Sequence, residues 1–390
     1  MLKQILLLTL SSFICVSCVN NKPKDDKQQS SGIIDDKNGD NPELYLIVGT
    51  YTVQDSKGIY VYRFDTITGK TSYVSEIDIE NPSYLSVSND EKYIYAVSEN
   101  DIATAFVSSF SFDKENGKLS FVNRQSTGGA APCYVSIDNT GSLLATANYS
   151  GGSVATFSVN DSGMIKPASQ VFNFMGKGLD KERQSAPHLH CVVYSPDQKY
   201  LYATDLGTDK IYKFNVHTGD SSYLTMGEPS SFKLADGTGP RHLTFHPNGK
   251  FAYLITELSG EVIAFRYENG NLEQIQKEIA DPLFAKGSAD IHISPDGKFL
   301  YASNRLKEDG IAIFSVNSST GKLAKIGYQS TGIHPRNFII TPEGNFLLVA
   351  NRDSNNIQVF ARNKNTGLLT DTKQNINLSM PVCLKFTSVK

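Results

Sequence analysis

Arginine, glutamate and histidine recur in this chain at regular intervals. Arg241 and Glu257 stand 16 residues apart, as do Arg336 and Arg352, and Glu257 and Arg305 stand 48 apart. A guanidinium presents a fixed fork of donors suited to a carboxylate, a phosphate or a developing oxyanion. A carboxylate or imidazole beside it can take a proton from water. His190, Arg241, Glu257 and Arg305 are therefore candidate catalytic groups, with Arg336, Arg352, His188, Asn304 and Asp205 as candidate substrate contacts. Spacing alone equally allows rim salt bridges, Glu257 with Arg241 or Arg305. No P-loop, HExxH pair, GxSxG elbow or CxxC occurs, so nucleophilic serine or cysteine catalysis has no support.

The intervals come from a repeat. Six four-residue turns begin at Asn89, Asn139, Pro196, Pro247, Pro295 and Pro342, which are 50, 57, 51, 48 and 47 residues apart. Each lies between two apolar runs, and a third run follows. A period near 50 with several strands per unit marks a β-propeller blade. Six residues before each turn stand Ser83, Cys133, His190, Arg241, Ala289 and Arg336; ten after it stand Glu99, Tyr149, Leu206, Glu257, Arg305 and Arg352. Nine after it stand Ser98, Asn148, Asp205, Thr256, Asn304 and Asn351. Strands running toward and away from the turn bring these positions together on the rim opposite the turns. One rim is generic, and the other gathers unlike polar groups around a channel mouth.

A second class of turn, seven in number, follows each third strand, as at Thr68-Gly-Lys70, His217-Thr-Gly219 and Thr320-Gly-Lys322. Seven against six places the missing first-class turn where the chain begins and ends. The spacing predicts that 382–386 pairs with 45–48. The fold class is thus all-β, a seven-bladed propeller of four-stranded antiparallel blades over 44–390 with no free sheet edge. Residues 173–187 form a charged insertion, and long loops in compact domains tend to be functional or mobile.

Composition sets the context. A net charge of −3 gives no sign of a nucleic-acid partner. Residues 1–18 read as a secretory signal ending in Ser17-Cys18, with Cys18 as a lipidated first residue of the mature chain. Residues 19–43 read as a disordered tether. The protein is then expected to be exported and held at the bacterial envelope by lipid alone. Beyond Cys15 and Cys18 only Cys133, Cys191 and Cys383 remain, which argues against a disulfide framework and for buried free thiols. His246 and His292 read as structural, and His217 and His334 receive no role.

The segments Pro187-His-Leu-His-Cys191, Asp205-Leu-Gly-Thr-Asp209, Gly239-Pro-Arg-His242, Ile255-Thr-Glu257, Ala302-Ser-Asn-Arg305 and His334-Pro-Arg-Asn-Phe338 carry a resemblance. Over about 44–386 the chain resembles the seven-bladed propeller lactonase family, which contains propeller-type 6-phosphogluconolactonases and 3-carboxy-cis,cis-muconate lactonizing enzymes. The resemblance implies a catalytic His, Arg, Glu and Arg at the mouth. These match His190 (or His188), Arg241, Glu257, and Arg305 or Arg336. The expected activity is cofactor-free hydrolysis of a sugar lactone to the sugar acid. The alternative is a non-catalytic envelope propeller that binds carbohydrate or protein at the same rim. A Ca²⁺ held in the channel by Asn148, Asp205, Asn304, Asn351 and Glu99 is a further possibility from their hard oxygen donors. An exported protein would not meet a cytoplasmic pool of 6-phosphogluconolactone, so either its substrate is an unphosphorylated or extracytoplasmic lactone or the family name does not describe its activity.

Overall fold

The second strand of each unit is buried over all or all but its first residue, and throughout in Leu143–Asn148, Phe299–Asn304 and Phe346–Asn351. A run with no wet face must be covered on both sides, so one sheet of this sequence needs two neighbours. The computed structural model, which describes residues 43–217 and 223–389, meets that demand with seven four-stranded antiparallel sheets. The inner strands are Leu85–Val87, Pro132–Ile137, Leu189–Tyr194, Pro240–Phe245, Ile291–Ile293, Pro335–Ile340 and Pro381–Ser388. Each touches the next, and the last returns to the first, so the ring closes around a channel. We number the blades one to seven in that order.

Closure follows the predicted pairing. Pro381–Ser388 lies antiparallel to Glu43–Thr50, with Leu46 opposite Phe386 and Val48 opposite Leu384. The first and last described strands thus share blade seven. The expected signal segment with Cys15 and Cys18, nearly all of the expected tether, and most of the turn at 217–219 lie outside the described residues. Cys133, Cys191 and Cys383 are buried and free, as expected.

The two turn classes share one rim and do different work. In blade five Ser294 Oγ donates to Asp296 Oδ1 (2.5 Å) and accepts from the Phe299 amide (3.0 Å). Ser195, Asp197 and Tyr200 repeat this in blade three, and Ser88, Asp90 and Tyr93 in blade one. The second-class turns lock neighbouring blades. A Cβ at Gly321 would lie 2.3 Å from Phe251, and one at Gly367 the same distance from Phe299. Glycine is required there twice over, by this contact and by φ of +72° and +74°. The aromatic that opens one blade's second strand therefore seats against the next blade's hairpin. Tyr253 and Tyr301 hydroxyls complete the lock by donating to the Gly321 and Gly367 carbonyls at 3.1 and 2.7 Å.

One irregularity shapes the other rim. The inner strands of blades two, three, four, six and seven each carry one unpaired extra residue: Cys133, His190, Arg241, Arg336 and Val382. A bulge breaks the strict alternation of a strand and re-aims its side chains.

Candidate active site

Because of the bulges, consecutive inner-strand residues turn toward the channel. Arg241 and His242 line one small cavity together with Ser83, Tyr84, Cys133, His190, Arg336, Asn337 and Val382. Its volume is about 10 Å³, near what one water molecule needs. Beneath it a layer of side chains crosses the channel and separates the cavity from a wider hollow on the turn side. Tyr84 and Tyr134 stack at 3.8 Å, Tyr134 meets His242 edge-on at 5.2 Å, and His242 bonds Asp290 at 2.7 Å.

Glu257 is the hub of the mouth. Its Oε2 accepts from Arg241 Nε at 2.8 Å and lies 3.4 Å from Arg305 Nη2, while Oε1 accepts from Arg183 Nη2 at 2.5 Å. The first two arginines come from blades four and five, and Arg183 comes from the charged insertion. Arg241 and Arg305 are buried, whereas the Arg183 side chain is 36 % exposed. Arg241 Nη1 also donates to the Ala289 carbonyl at 2.6 Å, and Arg305 Nε donates to the Gly287 carbonyl at 2.6 Å. Across the cavity Arg336 lies over the Tyr51 ring and 3.5 Å from Glu99, which also accepts from the Tyr51 hydroxyl.

The electrostatics follow from this crowding. Burial pushes the Glu257 carboxyl up, but Arg305, Arg241 and Arg183 outweigh it and hold the group down at about 2. Burial and then the Arg241 charge push His190 well below its usual range, so its imidazole is neutral. Its Nδ1 has only the Cys133 sulfur at 3.7 Å, and its Nε2 bonds no other described group. Arginines 183, 241, 305, 336 and 352 face carboxylates 99, 257 and 353, which leaves the mouth positive.

Residues 45–386 match the family described as "Lactonase, 7-bladed beta-propeller". The chain belongs to the seven-bladed propeller lactonase family. A 6-phosphogluconolactonase from Formosa agariphila is 43 % identical over 342 residues, covering 85 % of this chain and 96 % of that protein. A candidate 6-phosphogluconolactonase structure from Bacteroides fragilis is 55 % identical with a TM-score of 0.88, covering 89 % of this chain and 99 % of the other. The structure of a periplasmic gluconolactonase from Pseudomonas aeruginosa is 35 % identical with a TM-score of 0.84, covering 89 % of this chain and all of the other.

On this lactonase scaffold, His190, Arg241, Glu257 and Arg305 form one contiguous group with Arg336 across the cavity. His188 stacks on Tyr149 at 4.4 Å and bonds its carbonyl, and the same Tyr149 ring meets His190 edge-on at 5.4 Å. Arg352 lies farther out, paired with Asp353 through two bonds of 2.6 and 3.0 Å. Asp205 and Asn304 do not join the cluster. Asp205 is fully buried and accepts from the His188 and Gly207 amides and the Thr208 hydroxyl. Asn304 bonds Ser288 and the Ala280 carbonyl. Of the side chains considered for a Ca²⁺, Asn148 donates to Ser153 and Asn351 to Asn356, while Glu99 accepts from Tyr51 and lies 3.5 Å from Arg336. Among the described residues no three His, Cys, Asp or Glu side chains group to hold a metal.

Two participants escaped the repeat register. Arg183 lies in the insertion, and only the charge of that segment marked it. His242 follows Arg241 directly and would alternate away from the channel in a regular strand; the bulge brings it in. His292, expected to be structural, donates from Nε2 to Asp290 at 2.9 Å inside the channel. His246 bonds the Gly297 carbonyl at 3.0 Å in the turn rim, as a structural histidine would.

Proposed function

We propose that the protein opens the ring ester of a sugar lactone at this mouth. The observation that carries the reading is the convergence, in a member of the lactonase family, of His190, Arg241 and Arg336 on a niche the size of a water molecule. Water attacks the lactone carbonyl, and Arg241 steadies the tetrahedral oxyanion. Such preorganised donors contribute about 3 kcal/mol. Glu257 has both oxygens engaged by guanidiniums, and its role is to fix the arginines. His190 is the base. Its neutral imidazole takes the proton from water and returns it to the departing ring oxygen, which yields the hydroxy acid. Arg305 and Arg336 hold the anionic end of substrate or product. A substrate anion entering the positive mouth also raises the basicity of His190.

We further propose that the chain is exported and lipid-anchored at Cys18, touching membrane through that anchor alone. The similarity to a periplasmic gluconolactonase supports a lactone met outside the cytoplasm. The test is acid release from glucono-δ-lactone and its 6-phosphate at constant pH, against the spontaneous rate. Catalysis in excess of that rate on either compound is expected. No excess on either favours the non-catalytic binder.

A further inference from the structure

Two arginines of the mouth are backed by the same arrangement. Arg241 Nη1 lies 3.2 Å from His242 Nε2, and His242 Nδ1 lies 2.7 Å from Asp290 Oδ1. Arg305 Nη1 lies 3.1 Å from His334 Nε2, and His334 Nδ1 lies 3.3 Å from Asp353 Oδ2. The proton positions follow from the chemistry. A guanidinium can only donate, so each Nε2 must be an acceptor. Each Nδ1 then carries the proton; that of His242 donates it in a hydrogen bond to Asp290, whereas that of His334 only lies beside Asp353. Burial, reinforced by neighbouring arginines, keeps both imidazoles neutral: His242 is lowered to about 4 and His334 to about 3.

The two relays differ in stiffness. Asp290 is buried, and besides His242 it accepts from the Ile291 and Phe338 amides, His292 and Asn337. Asn337 in turn accepts from the Leu384 amide, so this carboxylate is tied to three further blades. Asp353 is 37 % exposed and is shared with Arg352.

We infer that His242 and His334 are positioning residues: neutral acceptors, each oriented by a carboxylate, that aim Arg241 and Arg305 at the reaction. The Asp290–His242 relay sets the Arg241 guanidinium rigidly. The Asp353–His334 relay holds Arg305 more loosely, as a group meeting different substituents would require. This deepens the lactonase reading, and its kinetic test rests on that reading.

The experiment is a double-substitution cycle on glucono-δ-lactone with His242→Ala, Arg241→Ala and the pair. His242→Ala is expected to lower kcat about tenfold with KM within twofold, because a small misplacement of an oriented donor is costly to the transition state. In the Arg241→Ala background the same change is expected to alter kcat less than twofold, because the effect passes through Arg241. An unchanged kcat in His242→Ala, or a full tenfold loss in both backgrounds, overturns the inference. A crystal structure of His242→Asn decides the matter without turnover. Its amide still donates to Asp290 but is too short to reach Arg241. Displacement of the Arg241 guanidinium from Glu257 supports the relay, and an unmoved guanidinium overturns it. That second result stands even if the protein acts on no lactone, and it serves equally if His242→Ala fails to fold.

Discussion

The two rims of the ring are built from connections between the same strands, yet they spend their polar groups differently. On the turn rim Ser88, Ser195 and Ser294 bond an aspartate two residues on, within their own turn. On the mouth rim the bonds cross blades: Arg241 to Ala289, Arg305 to Glu257, Arg336 to Glu99. A side chain that satisfies its own turn can be copied from unit to unit. The mouth arginines reach unlike partners on neighbouring blades and must be specified singly, whereas the Tyr253 and Tyr301 bonds of the turn rim cross blades to equivalent glycine carbonyls and repeat. Size does not distinguish the rims in the expected way. The roomier hollow, about 360 Å³, opens on the turn rim and is lined by Tyr84, Tyr134, His292 and Gln198 but by no arginine. Chemistry, not volume, marks the mouth.

The comparison can be broken from either side. The largest effect is expected from Glu257→Gln, which leaves three guanidiniums without their shared anion. Removing one partner of a buried ion pair costs about 3–5 kcal/mol, so urea unfolding should shift strongly. The same group sets an acid limit. Its pKa falls from 4.5 to about 2 on folding, so its stabilisation is complete above 4.5 and is lost as pH falls through 2. Unfolding free energies of wild type and Glu257→Gln should therefore converge across that window; a constant gap would contradict the assignment. Arg241→Ala comes next, with turnover lower by about a hundredfold, equivalent to the ~3 kcal/mol of a preorganised oxyanion donor, while circular dichroism stays that of the wild type.

Turn-rim substitutions should do the reverse. Gly321→Ala forces a left-handed backbone and meets Phe251, at a cost of at least about 1–2 kcal/mol in stability. Asp197→Ala loses the bond from Ser195, worth about 1 kcal/mol. Neither should change kcat/KM more than twofold. A turn-rim variant that lost turnover without losing stability would erase the distinction between the rims.

Much of this was legible in the sequence. The turns gave the blade count, the missing turn gave the closure of 382–386 on 45–48, and the register gathered His190, Arg241, Glu257 and Arg305. Three things were not legible. A bulge is one unpaired residue, and nothing in Gly-Pro-Arg-His announces which residue it is. Asp205 and Asn304 shared the register of the site but are satisfied by nearby groups of the blades, including backbone amides and carbonyls, that no spacing reveals. Arg183 reaches Glu257 from an insertion, where the register has no meaning.

The most direct measurement is a crystal structure with gluconate or 6-phosphogluconate bound. The account predicts the sugar acid at the mouth, its carboxylate against Arg241 and within reach of His190. Density for the acid in the turn-rim hollow between Tyr84, Tyr134 and His292, with the mouth empty, would contradict it.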